Sequence, residues 1–124
     1  MKKNWKNNQP TSLMLGRYQP WHDGHKTLFK RIIKKNKQVL IMVKDVYKIG
    51  DNPFTFLQIK KMISKSLINY KGKYKIILSP NITEICYGRK VGYKIKKINL
   101  SKKIQKISAT KIRKSLRKKG KLKI

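Results

Sequence analysis

Acidic side chains are scarce in this sequence of 124 residues, which carries four Asp or Glu against 34 Lys or Arg and has a formal net charge of +30. The four acids, Asp23, Asp45, Asp51 and Glu84, are too scattered to predict a carboxylate-rich metal cage or the paired carboxylates of a glycosidase. The basic excess predicts a phosphate-bearing partner: a nucleic acid, an anionic lipid or a small nucleotide. Because Lys, Ile and Asn are all abundant, a bias towards AT-rich codons explains the charge equally well.

Cysteine is also nearly missing, and the single Cys86 excludes a disulfide or a cysteine-built zinc site within this chain. Long apolar runs are absent, since a stretch such as Val39–Val43 is far shorter than the roughly 20 residues of a membrane helix. The basic start of the chain is not followed by the apolar region of a secretory signal. The sequence therefore predicts a cytoplasmic protein in a reducing compartment, without a membrane partner.

The length allows one domain, and neither a low-complexity linker nor an internal repeat divides the chain. We expect a single domain over residues 1–124, with flexible tails at 1–10 and 118–124, where charge combines with weak apolar periodicity.

Apolar patterning predicts strands that alternate with helices. The predicted strands are the run Leu13–Leu15 within residues 12–18, Val39–Val43, Tyr74–Leu78, a short fourth strand Glu84–Tyr87 and a fifth, Tyr93–Ile98. The predicted helices cover Gly24–Lys35, the face formed by Ile59, Met62, Ile63 and Leu67, and a C-terminal stretch with Ser108 as its N-cap. This alternation predicts an α/β protein with a parallel sheet, whose ligand lies at the carboxyl ends of the strands.

Two histidines mark the predicted junction between the first strand and the first helix. His22 and His25 bracket Gly24, which permits close approach of the backbone, and the helix start offers free N–H groups to an anion. Imidazoles placed there can donate hydrogen bonds to phosphoryl oxygens. The alternative is that one histidine caps the helix and the other fills a packing gap.

A second candidate anion site precedes the C-terminal helix, in the segment Ile107–Arg113. The hydroxyls of Ser108 and Thr110 and the exposed N–H groups of the helix start can surround phosphate oxygens, and Arg113 lies one turn further on. Alone, this pattern is more typical of an ordinary helix cap.

Together these motifs resemble the nucleotidyltransferase superfamily. The segment Gly16–His25 is similar to its His-x-Gly-His signature, and Ile107–Arg113 is similar to its second signature near the C-terminus. The Gly-Arg-aromatic-Gln-Pro lead-in from Gly16 and the segment Asp51–Phe56 most resemble the nicotinamide mononucleotide adenylyltransferase branch. The resemblance covers roughly residues 12–117 and rests on paired motifs in the right order.

The resemblance implies a Rossmann-like α/β fold with helices on both faces of a parallel sheet. It implies transfer of a nucleotidyl group, AMP from ATP by the lead-in motif, to a phosphomonoester acceptor with release of pyrophosphate. Mg²⁺ would be held mainly by the substrate's own phosphates, with no metal-binding residues supplied by the chain. Relatives are often oligomers, which makes a homo-oligomer an open expectation.

The resemblance also assigns roles by motif position. His22 and His25 would stabilise charge on the transferred α-phosphate and the leaving pyrophosphate. The nucleotide and its phosphates would be bound around Gly16, Arg17, Tyr18 and Gly24 in the first motif and by Ser108, Thr110 and Arg113 in the second. The main chain near Arg17 and Tyr18 would face the α-phosphate.

Five further residues have open interpretations. Arg89 is a candidate nucleotide contact or part of a glycine-hinged surface loop, and Lys44 either assists the phosphates or points to solvent. Trp21 either stacks on a ring of the substrate or packs under the loop. Asp45 and Asp51 are turn residues by pattern, with metal coordination as the alternative.

Three other functions stay open. One is a cytidylyltransferase that uses CTP. Another is a nucleic-acid-binding module whose stacking groups would be Tyr70, Tyr74, Tyr87 and Tyr93, which is not favoured because two anion motifs at strand ends would then be coincidental. The third is a nucleotide-binding protein without turnover.

Overall fold

Strands and helices alternate along the chain in the computed structural model, which describes residues 5–35, 38–89, 92, 94–98 and 100–122. The elements are β1 (Thr11–Gly16), α1 (Asp23–Lys35), β2 (Gln38–Lys44), α2 (Phe56–Ser66), a 3₁₀ turn (Ile68–Tyr70), β3 (Tyr74–Ser79), α3 (Lys102–Gln105) and α4 (Ala109–Lys118). The sequence patterns predicted all of these except the 3₁₀ turn and α3. None of the helices in the described ranges has the length and apolarity to cross a bilayer.

The three strands form one parallel sheet in the order β1-β2-β3. In the register of the sheet, Gly16 at the end of β1 lies opposite Val43, and Lys44 at the end of β2 lies opposite Ser79. The parallel α/β class is therefore confirmed. Because all three strands run in one direction, the segments that follow β1 and β2 emerge at the same edge of the sheet.

The core lies on one face of the sheet. Val39, Ile41 and Val43 alternate along β2 and are buried on that face. The helical segments add the buried side chains Phe29, Ile32, Ile59, Ile63 and Leu67 to the same cluster. Complete burial of one such side chain stabilises the fold by about 1.5–3 kcal/mol. The opposite face is less covered, since Leu13 remains 50% exposed and Ile77 38% exposed.

The predicted fourth strand, Glu84–Tyr87, is wrong, because residues 80–89 contain no strand. The predicted fifth strand is also absent from residues 94–98, while Tyr93 lies outside the described residues. The apolar side chains that suggested these strands, including Ile85, Tyr87 and Ile95, are mostly exposed. A β-branched or aromatic pattern gains little from the extended conformation when no neighbouring surface buries it.

Both segments predicted as flexible tails make contacts where the structure describes them. Gln38, at the start of β2, donates from Nε2 to the carbonyl of Lys6 and to Thr11 Oγ1, each at 2.7 Å. Its Oε1 accepts from the Lys6 N–H at 3.3 Å. At the other end, Leu122 packs against the core cluster. Gln38 therefore joins residues just before β1 to the first residue of β2.

We expect Gln38→Leu to lower the free energy of unfolding by about 1–3 kcal/mol, because it removes the partner of the Lys6 N–H and the two hydrogen bonds that the Gln38 amide donates. Urea unfolding followed by circular dichroism measures this loss. Lys6→Ala is the matched control, since the contact uses only the Lys6 backbone. Equal stability of Gln38→Leu and the wild type would show that the contact adds nothing.

Candidate active site

The loop between β1 and α1 is built around the buried ring of Tyr18. A Cβ placed on Gly16 would lie 2.9 Å from Tyr18 Cζ, so the ring occupies space that only glycine leaves free. Tyr18 adopts the left-handed backbone conformation, with φ of 50°, and burial raises the pKa of its hydroxyl. Its ring meets His25 edge-on, with 4.9 Å between the ring centroids. Tyr18 therefore packs against His25, the second histidine of the motif.

His22 and His25 stack on each other, with ring centroids 3.8 Å apart and an angle of 25° between the planes. The N–H of His22 donates to His25 Nδ1 at 3.1 Å, and the N–H of Gly24 donates to His22 Nδ1 at 3.0 Å. Each Nδ1 is thus an acceptor, and the hydrogen-bond pattern places the proton of each neutral ring on Nε2. The pair presents two Nε2–H donors beside the start of α1.

Gly24 provides the space for this arrangement. A Cβ at this position would lie 2.7 Å from Cε1 and 2.9 Å from Nδ1 of His22. A larger residue would require the His22 ring to shift, and this ring accepts the Gly24 N–H on Nδ1. The observed position of the His22 ring therefore depends on the glycine between the two histidines.

Both histidines are held in their neutral form. Burial, and to a smaller extent the neighbouring His22, lowers the pKa of His25 to about 3. Burial also lowers the pKa of His22, and the nearby carboxylate of Asp23 partly offsets that change. Near neutral pH the pair therefore donates hydrogen bonds without carrying a positive charge.

The depressed pKa of His25 makes stability depend on pH. The unfolded chain binds a proton at this residue as the pH falls below about 6.5, whereas the folded chain stays neutral down to about 3. We expect full stability above that upper value and a loss of up to about 1.4 kcal/mol per pH unit below it. Urea unfolding between about pH 7.5 and pH 5 measures this slope.

The control is His25→Asn, which removes the titrating ring and leaves the other histidine in place. This variant should show a shallower decline over the same pH range. A wild-type free energy of unfolding that stays constant down to about pH 5 would contradict a neutral, half-buried His25.

Gln19 lies in the segment 17–25, which comprises the β1–α1 loop and the first residues of α1 and carries both histidines; we call it the histidine loop. Gln19 joins this segment to two other parts of the chain. Its side chain donates from Nε2 to the carbonyl of Phe54 at 2.9 Å and accepts the Phe54 N–H on Oε1 at 2.8 Å. Its own carbonyl accepts from Arg113 Nη1 at 2.5 Å. Gln19 was not among the site residues predicted from the sequence. The signal was its place in the Gly-Arg-aromatic-Gln-Pro segment, as a polar residue among side chains that become buried.

Arg113 is brought to the same loop from α4. Ser108 caps this helix as predicted, with its Oγ accepting the N–H of Lys111 at 3.1 Å. Thr110 Oγ1 accepts from Arg113 Nη2 at 3.3 Å, and Arg113 is only 3% exposed. The structure therefore brings the second motif to the loop that carries the two histidines, through the contact between Arg113 and Gln19.

The segment between β2 and α2 adds an acid and an amide to this cluster. Asp51 faces Arg113 at 4.0 Å and Arg117 at 3.7 Å, measured between carboxylate oxygen and guanidinium nitrogen. Asn52 Oδ1 accepts from Arg17 Nη1 at 3.4 Å. The contact of Asp51 with two arginines was not predicted, because the sequence pattern suggested only a turn or a metal ligand.

The three remaining candidates are Lys44, Trp21 and Arg89, and each has a different environment in the structure. Lys44 ends β2 and lines a small open pocket together with Tyr47 and Phe54. Trp21 is buried and donates from Nε1 to Ser66 Oγ at 3.0 Å. Of the two alternatives for Trp21, this is the one in which the side chain packs within the protein. Arg89 is exposed in the segment 80–89, which has no regular structure.

No cluster of three or more His, Cys, Asp or Glu side chains suited to a metal ion occurs in the described part of the chain. The donors that do converge near the loop are imidazole Nε2–H groups, guanidinium groups and backbone N–H groups at helix starts. This donor set suits an anion with several oxygens, as a polyphosphate has.

Part of the chain is similar in sequence to nicotinamide-nucleotide adenylyltransferases. No known protein-family profile matches the chain. A nicotinamide-nucleotide adenylyltransferase from Methanococcus aeolicus is 37% identical over 68 residues, which cover 53% of this chain and 40% of the relative. One from Methanococcus maripaludis is 34% identical over 68 residues, with the same coverage. The match thus spans 40% of the length of these curated relatives.

A solved structure gives a weaker likeness. The crystal structure of a bifunctional NMN adenylyltransferase/ADP ribose pyrophosphatase from Francisella tularensis, complexed with AMP and a manganese ion, has a TM-score of 0.46 and 27% identity. The alignment covers 58% of this chain and 22% of that chain. The sequence similarity to the two methanococcal proteins confirms the predicted resemblance to the nicotinamide mononucleotide adenylyltransferase branch of the nucleotidyltransferases.

Proposed function

We propose that this chain is an enzyme that transfers AMP from ATP to a phosphate-bearing small molecule and releases pyrophosphate. The observation that carries the proposal is the stacked pair His22 and His25, which presents two neutral Nε2–H donors beside the start of α1. The sequence similarity to nicotinamide-nucleotide adenylyltransferases supports the same reaction class.

In the proposed reaction, an oxygen of the acceptor's phosphate attacks the α-phosphorus of ATP. The bond from that phosphorus to the oxygen bridging to the β-phosphate breaks, and its electron pair leaves with pyrophosphate. Because the attacking oxygen is already anionic, the step needs no strong general base. The Nε2–H groups of His22 and His25 would donate to the oxygens on which negative charge increases in the transition state.

Neutral imidazoles suit this role. A donor whose hydrogen-bonding geometry is already fixed stabilises developing charge without reorganisation during the reaction. The His22 N–H and Gly24 N–H hold the two Nδ1 atoms, so neither ring is free to flip to the other tautomer without losing a bond. The backbone bonds therefore fix which nitrogen faces the phosphates.

The phosphate tail would lie between the histidine loop and α4. In this proposal Ser108, Thr110 and Arg113 hold the β- and γ-phosphates, and the backbone around Gly16, Arg17 and Tyr18 faces the α-phosphate. Arg113 Nε is buried and finds no hydrogen-bond partner among the residues that the structure describes. A buried donor of this kind is costly unless an acceptor is present during function.

Mg²⁺ fits this site as a companion of the triphosphate. The converging donors of the chain are basic or neutral, so the ion would be held by phosphate oxygens and water, which it commonly prefers. When bound, it would neutralise part of the charge on the phosphates. The residues of this chain would orient the nucleotide around it.

The acceptor belongs to the class of phosphomonoesters, and nicotinamide mononucleotide is the first to test because the curated relatives are named for that substrate. The carboxyl end of β2 lies on the correct edge of the sheet for an acceptor. Lys44 offers a cation there and Tyr47, which is 41% exposed, offers an aromatic ring.

Removal of either imidazole is expected to lower turnover strongly. His22→Ala and His25→Ala should each reduce the rate of pyrophosphate release about 10²–10³-fold, because each removes a fixed donor to the transition state. Pyrophosphate release from ATP with nicotinamide mononucleotide measures the rate, and circular dichroism verifies folding. Lys30→Ala, which removes an exposed cation from α1, is the control and should retain the wild-type rate. Wild-type turnover in both histidine variants would refute the proposal.

Binding measurements separate this proposal from the alternatives. ATP and CTP are titrated with Mg²⁺ at moderate salt into the wild type and His25→Ala. A preference for ATP that is lost in the variant supports adenylyl transfer, and a preference for CTP indicates a cytidylyltransferase. Weak, equal and salt-sensitive binding, unchanged in the variant, would favour a nucleic-acid-binding module. Specific ATP binding without pyrophosphate release for any acceptor would indicate a non-catalytic nucleotide-binding protein.

A further inference from the structure

Two arginines on one face of α4 converge on a single carboxylate. Arg113 and Arg117 are four residues apart and therefore lie one above the other on the helix surface. Arg113 Nη2 approaches one oxygen of Asp51 at 4.0 Å, and Arg117 Nη2 approaches the other at 3.7 Å. The carboxylate thus lies between two guanidinium groups, with one oxygen directed to each.

These contacts are loose. Both distances exceed the length of a charge-assisted hydrogen bond, which is about 2.7–2.9 Å. The Asp51 side chain is 64% exposed, whereas Arg113 is 3% exposed. The Nε atoms of both arginines are buried and have no hydrogen-bond partner within the described residues. The carboxylate therefore compensates the two cations without satisfying their donors.

The local charge balance also favours a stronger anion. Arg17, Arg113 and Arg117 bring three positive charges to this region, and Asp51 supplies one negative charge. Burial lowers the pKa of Arg113, the charges of Arg17 and Arg117 lower it further, and the Asp51 carboxylate works in the opposite direction. A polyphosphate carries several negative charges and more acceptor oxygens than a carboxylate, so it can approach both guanidinium groups more closely than Asp51 does.

We infer that Arg117 is a second guanidinium for the triphosphate tail beside Arg113, and that the Asp51 carboxylate occupies their binding position until the nucleotide displaces it. The inference rests on the proposed function and adds a residue that neither signature motif contains. Asp51 acts here as an internal competitor, which keeps the arginines paired in the absence of nucleotide.

The segment that carries Asp51 allows this exchange. The Lys48 N–H donates to the carbonyl of Asn52 at 2.8 Å, and the Asn52 side chain donates to the carbonyl of Ile49. These bonds hold the backbone of the turn independently of the Asp51 side chain. The exposed carboxylate can therefore rotate towards solvent without unfolding the turn, and the Arg17 contact with Asn52 is not disturbed.

The test compares binding of ATP, AMP and inorganic tripolyphosphate by calorimetry at about 0.15 M salt. Arg117→Met should weaken ATP and tripolyphosphate about tenfold or more, because a charge-assisted contact is lost, and leave AMP unchanged. Arg117→Lys, which keeps the charge and loses the planar fork, should fall between. Asp51→Asn should strengthen ATP binding about two- to fivefold, as expected for removal of an exposed competing ion pair.

Matched controls separate this effect from the general charge of the protein. Lys114→Met removes one exposed cation from the same helix, and Glu84→Gln removes one exposed acid from another segment. If Arg117→Met weakens ATP no more than Lys114→Met does, the inference is overturned. It is equally overturned if Asp51→Asn binds ATP no better than Glu84→Gln. The Asp51→Asn measurement remains informative even if an arginine variant fails to fold.

The inference and the proposed function can fail separately. Absence of pyrophosphate release by the wild type would reject the adenylyltransferase, while the tripolyphosphate titration would still test the arginine pair. Conversely, wild-type turnover together with unaltered polyphosphate binding in Arg117→Met would reject the arginine pair and leave the adenylyltransferase standing.

Discussion

The candidate site depends on one buried side chain, that of Gln19. Its side-chain amide donates to the Phe54 carbonyl and accepts the Phe54 N–H. The backbone carbonyl of Gln19 accepts from Arg113. Gln19 is 3% exposed, so these bonds are made away from water, where an unpaired amide would be expensive. Three segments that are distant in sequence are thereby held together: the histidine loop, the turn before α2, and the start of α4.

The local parts of this arrangement could be predicted from the sequence, since each rests on short-range patterns. Alternating apolar residues mark β2, the histidines around Gly24 mark a loop before a helix, and Ser108 marks the start of α4. The contacts between these parts could not be predicted, because Gln19 meets Phe54 across 35 residues and Arg113 across 94. After β3 the apolar pattern predicted a strand that the structure lacks, because Ile85 is exposed although it is hydrophobic.

The charge of the site differs in kind from the charge of the surface. A net charge of +30 attracts every anion, and salt screens that attraction over about 10 Å. The histidine pair is neutral because burial opposes its protonation, so in the proposed role His25 would select a ligand by direction of hydrogen bonding and not by charge. Arg113 adds a buried cation whose position is fixed by Gln19. Specificity for a nucleotide would therefore come from these few oriented groups.

Scarcity of acids is compatible with catalysis of this kind. A transfer in which the nucleophile is already anionic requires positioning and stabilisation of charge more than proton abstraction. Positioning in turn requires that the donors keep their mutual distance while the ligand exchanges. Since Gln19 binds Arg113 through its backbone and the Phe54 segment through its side chain, the rigidity of the loop does not depend on the ligand. In the proposed exchange, the Asp51 carboxylate that faces Arg113 and Arg117 would give way to a phosphate without loss of that frame.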